Sequence, residues 1–253
     1  MPYRPCTLAI AAALIGGLSL TSAAPARAAL VKNYEFNVDG VLPAADSQTT
    51  FFNNTGHGET TLFSVSGGLL QQRTLAVNGN ASYSLPNNAV VGGGLSAADS
   101  FSIEARLRVL GIDGQGGAFF QLFDGANRFS VLFDAGEVNV LGTTGWNAIA
   151  LDISEFHTYR LESLGNSAAY DFYIDGVLAL SATAITYTSL NGFNFGDGIT
   201  DPGFGADVDW DYLRVSQPLS EVSPVPEPAA VLVLGAGLVT LVAVRRRAVR
   251  KAV

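Results

Sequence analysis

The sequence predicts an all-β fold, a jelly-roll sandwich of two sheets, within a chain of 253 residues. Three observations carry this. The segment Phe101-Ser102-Ile103-Glu104-Ala105-Arg106-Leu107-Arg108-Val109 alternates apolar and polar with period two, the pattern of a strand with one buried face. Glycine-bearing turns at Asp124-Gly125, Ala135-Gly136 and Asp175-Gly176 cut the chain into short strand-like runs. No helix-periodic run of ten or more residues interrupts them between Ala29 and Pro224. Many short strands and Gly-rich turns over about 190 residues fit a two-sheet sandwich.

The chain opens with Arg4, then a 15-residue apolar run from Cys6 to Leu20, then Ala26-Arg27-Ala28. A positive start, a short apolar run and a small-x-small ending read as a secretory signal over residues 1–28, cut by signal peptidase. The run is too short for a membrane span. Cys6 is the one cysteine, so cleavage after Ala28 leaves a mature protein without any. That excludes a disulfide framework and a multi-cysteine metal site.

Residues 29–218 form the predicted domain. Ala118 to Leu141 divides at its two glycine turns into a three-stranded meander, and Tyr170 to Leu180 folds into a hairpin about Asp175-Gly176. Between Ala29 and Pro224 seven basic residues (Lys32, Arg73, Arg106, Arg108, Arg128, Arg160, Arg214) face 21 acids, a net charge of −14 against −8 for the whole chain. Such a surface repels nucleic acid and favours divalent cations.

Two stretches of this domain carry a resemblance. Phe156 to Glu162 followed by Asp171 to Val177 is similar to the central hairpin of concanavalin A-like, laminin-G-like jelly rolls. Phe195-Gly196-Asp197-Gly198 followed by Asp209 to Val215 resembles their closing strand. The resemblance implies that the first strand, Val31 to Phe36, lies beside the last, Asp209 to Val215. It implies a fold shared by lectins, adhesion modules and glycoside hydrolases, so function must come from the site.

Asp207, Asp209 and Asp211 fall at alternate positions of that last strand. The laminarinase-type hydrolases of this fold carry a Glu-x-Asp-x-(x)-Glu strand, whereas here the run is Asp-Val-Asp-Trp-Asp with shorter side chains. In phase with Leu213 and Val215, Asp211 is expected to be buried and hydrogen-bonded. Catalysis is therefore not expected, and the predicted role is non-enzymatic. Calcium is the expected use of the acids. Asp197, Asp201, Asp207 and Asp209 lie within 13 residues on a glycine-rich loop and strand start, with Glu35 or Asp39 on the paired first strand. The resemblance, too, implies a calcium at a loop edge. His57 and His157 are far apart, with His157 expected at a strand edge. Trp146, Trp210, Tyr83, Tyr187 and Phe204 are the candidate sugar-stacking rings.

Residues 219–224 form a linker to a three-part C-terminus, residues 225–251. Val225-Pro226-Glu227-Pro228 is held extended by its prolines. Ala229 to Val244 is an uncharged 16-residue run, a single transmembrane helix. Arg245, Arg246, Arg247, Arg250 and Lys251 follow and place the C-terminus in the cytoplasm. This arrangement resembles a PEP-CTERM sorting signal, which implies an exosortase as partner, a Gram-negative envelope and transient anchorage in the inner membrane before release. The expected function is an exported, exosortase-processed envelope or matrix protein, such as one in biofilm, whose domain binds carbohydrate or another surface component. The alternatives are a glycan-cleaving hydrolase of the same fold and a ligand-free structural matrix protein.

Overall fold

The computed structural model describes residues 29–86, 96, 99–113, 117–165, 167–188, 191–198 and 205–217. The expected signal peptide, linker and sorting segment lie outside these residues, as do Asp201 and Phe204. Among the described residues no helix is long and apolar enough to cross a membrane.

The first half of the chain supplies β1 (Ala29–Tyr34), β2 (Thr50–Asn53), β3 (Phe63–Ser66), β4 (Leu69–Arg73), β5 (Ala81–Pro86) and β6 (Phe101–Ile112). The expected meander follows as β7 (Ala118–Asp124), β8 (Asn127–Asp134) and β9 (Glu137–Gly142), then β10 (Gly145–Ala150). The expected hairpin is β12 (Ala169–Ile174) with β13 (Val177–Thr183), preceded by β11 (His157–Ser163). The short β14 (Ile185–Thr186), β15 (Asn191–Asp197) and β16 (Ala206–Gln217) complete the fold. A single helical turn, Glu59–Leu62, leads into β3.

All pairings are antiparallel and form two sheets. Sheet A runs β13-β12-β11-β6-β16-β4-β3, with β1 also on β16; sheet B runs β10-β9-β8-β7-β15-β5-β2, with β14 also on β8. The sheets pack face to face because each strand turns alternate side chains inward. On β6 the buried set is Phe101, Ile103, Ala105, Leu107 and Val109, while the residues between them reach the surface. Aromatic rings fill one half of the core: Tyr83 lies 4.9 Å from Phe63 and 5.2 Å from Phe195, which meets Trp210 edge-on at 5.7 Å. Such tilted and edge contacts suit the ring quadrupoles and fix relative positions that aliphatic packing would leave looser. Tyr170 closes the other half, its buried hydroxyl donating to the Leu141 carbonyl at 2.6 Å.

Two backbone details hold the strands in place. At the β12–β13 turn Asp175 and Gly176 both take positive φ (51° and 79°), the pair of left-handed residues that a tight two-residue hairpin requires. Before β16, Gly205 passes so close to β4 that a Cβ there would stand 1.9 Å from the Thr74 carbonyl oxygen. Only glycine permits this approach, and through it Thr74 bonds Ala206 in both directions.

Candidate functional site

The closing strand is the first candidate, and its residues are engaged in structure. β1 does pair with β16, as the resemblance implies, but over Ala29–Tyr34 against Leu213–Gln217. Glu35 therefore meets Arg214, which donates to its carboxylate at 2.8 and 2.9 Å. Asp209 is the buried acid of the strand. It accepts from Arg73 at 2.7 Å and from Arg108 at 2.9 and 3.1 Å. Asp211 is not buried in phase with Leu213 and Val215: a bulge between Trp210 and Tyr212 shifts the register, so Asp211 is half-exposed and pairs with Arg106. Asp207 is half-buried and accepts from the Leu75 N–H at 3.4 Å. Asp197 is buried at the end of β15, in the opposite sheet. Among the described residues no three His, Cys, Asp or Glu side chains gather closely enough to hold a metal ion.

These contacts belong to a pattern covering the outer face of sheet A. Arg160 pairs with Glu162, and Arg214 also approaches Glu104. Arg106 and Arg108 flank the Phe156 ring at 4.7 and 4.6 Å, and Arg160 lies 4.4 Å from Tyr173. Charge on this face is neutralised pair by pair, and the arginine stems cover apolar surface. His157 begins β11 and bridges Asp175 (2.6 Å) and the Asp152 carbonyl (3.1 Å), a strand-edge role as expected. His57 is exposed in the loop after β2, where the Asn53 amide bonds its carbonyl.

The outer face of sheet B differs in kind. Strand register places Thr50 opposite Ser84, Ser84 opposite Asn194, Asn194 opposite Gln121 and Gln121 opposite Ser130. These side chains alternate with core residues, so they form one polar row across five strands, on the face away from the core. A second row runs Phe52, Ser82, Gly196, Phe119, Leu132, Asn139 and Ala148. Ser130 is fully buried at the floor of this face, whereas Ser84, Asn194, Gln121 and Asn139 are half-buried. Two exposed rings bound it. Phe52 stands on the edge strand β2, and Trp146, 43% exposed, stands opposite Leu141 on the edge strand β10. With strands ~4.8 Å apart, the two edges lie about 29 Å from each other.

Amides and hydroxyls on a sheet between exposed rings are the groups that bond sugar hydroxyls and stack on sugar faces. Of the five rings proposed from sequence, Trp146 is placed to do this. Tyr187 packs at a tilt on Phe123 of the same face, 5.1 Å between centroids. Trp210 and Tyr83 are fully buried core residues and are withdrawn from the ligand set.

One carboxylate pair occupies this face among the described strands. Asp134 ends β8 and Glu137 begins β9, directly opposite each other across the Ala135-Gly136 turn. Both are half-buried; Asp134 accepts the Ala135 N–H at 2.7 Å and Glu137 accepts the Asn139 amide at 2.9 Å. Directly opposed strand residues have Cβ atoms ~5 Å apart, which allows carboxyl groups near the ~5–5.5 Å separation of retaining glycosidases. Sequence reasoning looked for acids along one strand and passed over this pair. The available signal was Asp-Ala-Gly-Glu: a two-residue hairpin turn makes its flanking residues cross-strand partners.

No known family's sequence profile matches the chain, and no curated protein sequence does. Solved structures do match. An endo-acting O-glycanase of the human gut microbiota superposes with a TM-score of 0.52 at 14% identity, covering 75% of this chain and 99% of the other. The endo-β-1,3-glucanase of Pyrococcus furiosus gives 0.52 at 13%, covering 76% and 95%, and the laminarinase of Rhodothermus marinus 0.51 at 14%, covering 76% and 98%. At these identities the likeness establishes the fold, a concanavalin A-like jelly roll of two antiparallel sheets. The expectation of a non-enzymatic protein is overturned by this comparison, because the structures matched are glycan-cleaving enzymes.

Proposed function

We propose that this chain is a glycan-acting protein that holds a polysaccharide along the outer face of sheet B. The observation that carries the proposal is the cross-strand row Thr50–Ser84–Asn194–Gln121, with the buried Ser130 donating to Gln121 beneath it, lying between the exposed rings Phe52 and Trp146. A row of short polar groups on rigid strands offers hydrogen bonds at fixed spacing with little ordering cost. Affinity electrophoresis through gels containing β-1,3-glucan or mucin-type glycans tests it. Retardation that Gln121→Ala with Asn194→Ala relieves supports the reading; mobility unaffected by every glycan defeats it.

The Asp134–Glu137 pair supports a second, more specific reading, that the bound chain is cleaved. In this reading one carboxyl group protonates the leaving oxygen and the other attacks the anomeric carbon or stabilises its charge. Release of reducing ends by the wild type, lost in both Asp134→Asn and Glu137→Gln while glycan binding persists, is the expected result. Reducing ends formed equally by both variants would refute the assignment.

Export belongs to the same proposal and rests on the sequence alone. Residues 1–28 direct secretion and signal-peptidase cleavage. The Val225–Pro228 motif, apolar run and Arg245–Arg247 cluster make the chain an exosortase substrate, anchored in the inner membrane and then released. A mature species ending near Pro226–Pro228, found only in cells with the exosortase, is the expected outcome of intact-mass measurement. Retention of Arg245–Lys251 in those cells would contradict it.

A further inference from the structure

Seven lysines and arginines lie in the described residues, and six of them have a carboxylate partner. Arg128 has none. Its position on β8, between the core residues Asn127 and Phe129, turns it to the outer face of sheet B. It is two residues along from Ser130 of the polar row. There β14 pairs with β8, with Ile185 opposite Arg128. The Arg128 Nε–H is buried and has no hydrogen-bond partner among the described residues. The guanidinium lies 6.0 Å from the Phe123 ring, against which Tyr187 packs.

Nearby acids do not supply the missing acceptor. Asp124 is committed to the Ala126 N–H at 2.8 Å, the Asn127 N–H at 2.6 Å and the Asn127 amide at 3.0 Å. Asp134 is six residues further along β8, about 20 Å away. Burial also holds the guanidinium below its ordinary pKa, an effect that the nearby Tyr187 only partly offsets.

A half-buried guanidinium with an unmet donor, two residues along from a row of neutral hydroxyls and amides and about 20 Å from the Asp134–Glu137 pair, is a donor site for a planar or tetrahedral anion. We propose that Arg128 gives the glycan face a subsite for an acidic sugar, pairing with a carboxylate or sulfate carried on the polysaccharide. This rests on the glycan-acting reading and specifies its substrate class. The net charge of the domain repels polyanions at long range, but much of that charge is screened beyond ~8–10 Å in ordinary salt, while a partly buried contact is screened less.

The test is calorimetric titration of the purified full chain at about 150 mM salt with three oligosaccharide series: a uronate, a sulfated galactan and a neutral β-1,3-glucan. Wild type, Arg128→Met and Arg128→Lys are compared. The expected result is roughly tenfold tighter binding of one acidic series than of the neutral one, lost in Arg128→Met and partly restored in Arg128→Lys. Whichever acidic series is favoured identifies the anion. Neutral-glucan affinity stays unchanged in Arg128→Met. Equal affinity of the wild type for acidic and neutral series, or an acid preference that survives Arg128→Met, overturns the proposal while leaving the glycan face intact. Failure of all three series to bind overturns the glycan reading and this one with it.

Discussion

Replacing Asp209 by Asn isolates the role of the closing strand. The carboxylate is 4% exposed and sits between Arg73 and Arg108, whose side chains are each 35% exposed. It accepts three charge-assisted hydrogen bonds at 2.7–3.1 Å. Asparagine keeps the shape but leaves two guanidinium groups facing each other across a neutral amide, one of whose halves is itself a donor. Removing one member of a fully buried pair costs about 3–5 kcal/mol. Both arginines can turn to water here, so the expected loss is about 2 kcal/mol. With a urea m-value of about 2 kcal/mol/M, the unfolding midpoint falls by about 1 M. Equilibrium urea unfolding followed by tryptophan emission measures this, since Trp210 reports directly from the core. A second arm measures glycan binding by molecules still folded, which the account expects to be unchanged. A midpoint shift below ~0.3 M would refute the ion-pair reasoning. Loss of glycan affinity at full stability would return Asp209 to the functional site.

Gly205→Ala forces a methyl group to 1.9 Å from the Thr74 carbonyl oxygen, so the junction of β4 and β16 must open; the expected result is loss of soluble folded protein or a thermal midpoint lowered well beyond that of an exposed substitution such as Gly58→Ala, where φ is negative and nothing lies within 4 Å except the Thr61 hydroxyl at 4.0 Å. Partial burial pushes the Asp175 carboxyl up, but the Thr158 N–H and His157 together hold it below the usual carboxylate range. Its contribution is therefore full above the unfolded value near ~4 and is lost as pH falls through the lower folded value. Thermal melts from pH 6 downward should show a steeper acid decline for the wild type than for Asp175→Asn, which keeps the left-handed turn conformation. Parallel declines would rule this linkage out.

Most of the strand framework was legible in the sequence because one buried face imposes a period of two, as β6 and the β7–β8–β9 meander show. The β12–β13 hairpin was legible from Asp175-Gly176 because few residue pairs adopt its backbone. Periodicity failed at Asp211, where one extra residue in the β16 bulge reversed the phase that the surrounding Leu213 and Val215 suggested. Two of the acids expected to converge on calcium are held apart by a cause that composition hides: Arg73, Arg108 and Arg214 lie on sheet A, where the first two neutralise Asp209 and the third Glu35. The glycan face was invisible for another reason. Thr50, Ser84, Asn194, Gln121 and Ser130 are scattered across the chain, and only strand register aligns them. Trp146 and Trp210 could not be ranked from sequence either, since one lies on an edge strand and the other at the centre of the core.

That contrast supplies the most direct test of the central claim, that glycan lies on the outer face of sheet B. The chain has two tryptophans, Trp210 fully buried and Trp146 exposed on that face. Tryptophan emission of the full chain is titrated with the oligosaccharide series named above. The account predicts a saturable spectral shift, with Trp146 protected from acrylamide quenching, and disappearance of both signals in Trp146→Phe. A saturable shift that persists in Trp146→Phe, or bound glycan that leaves Trp146 fully open to the quencher, would place the ligand elsewhere and contradict the account.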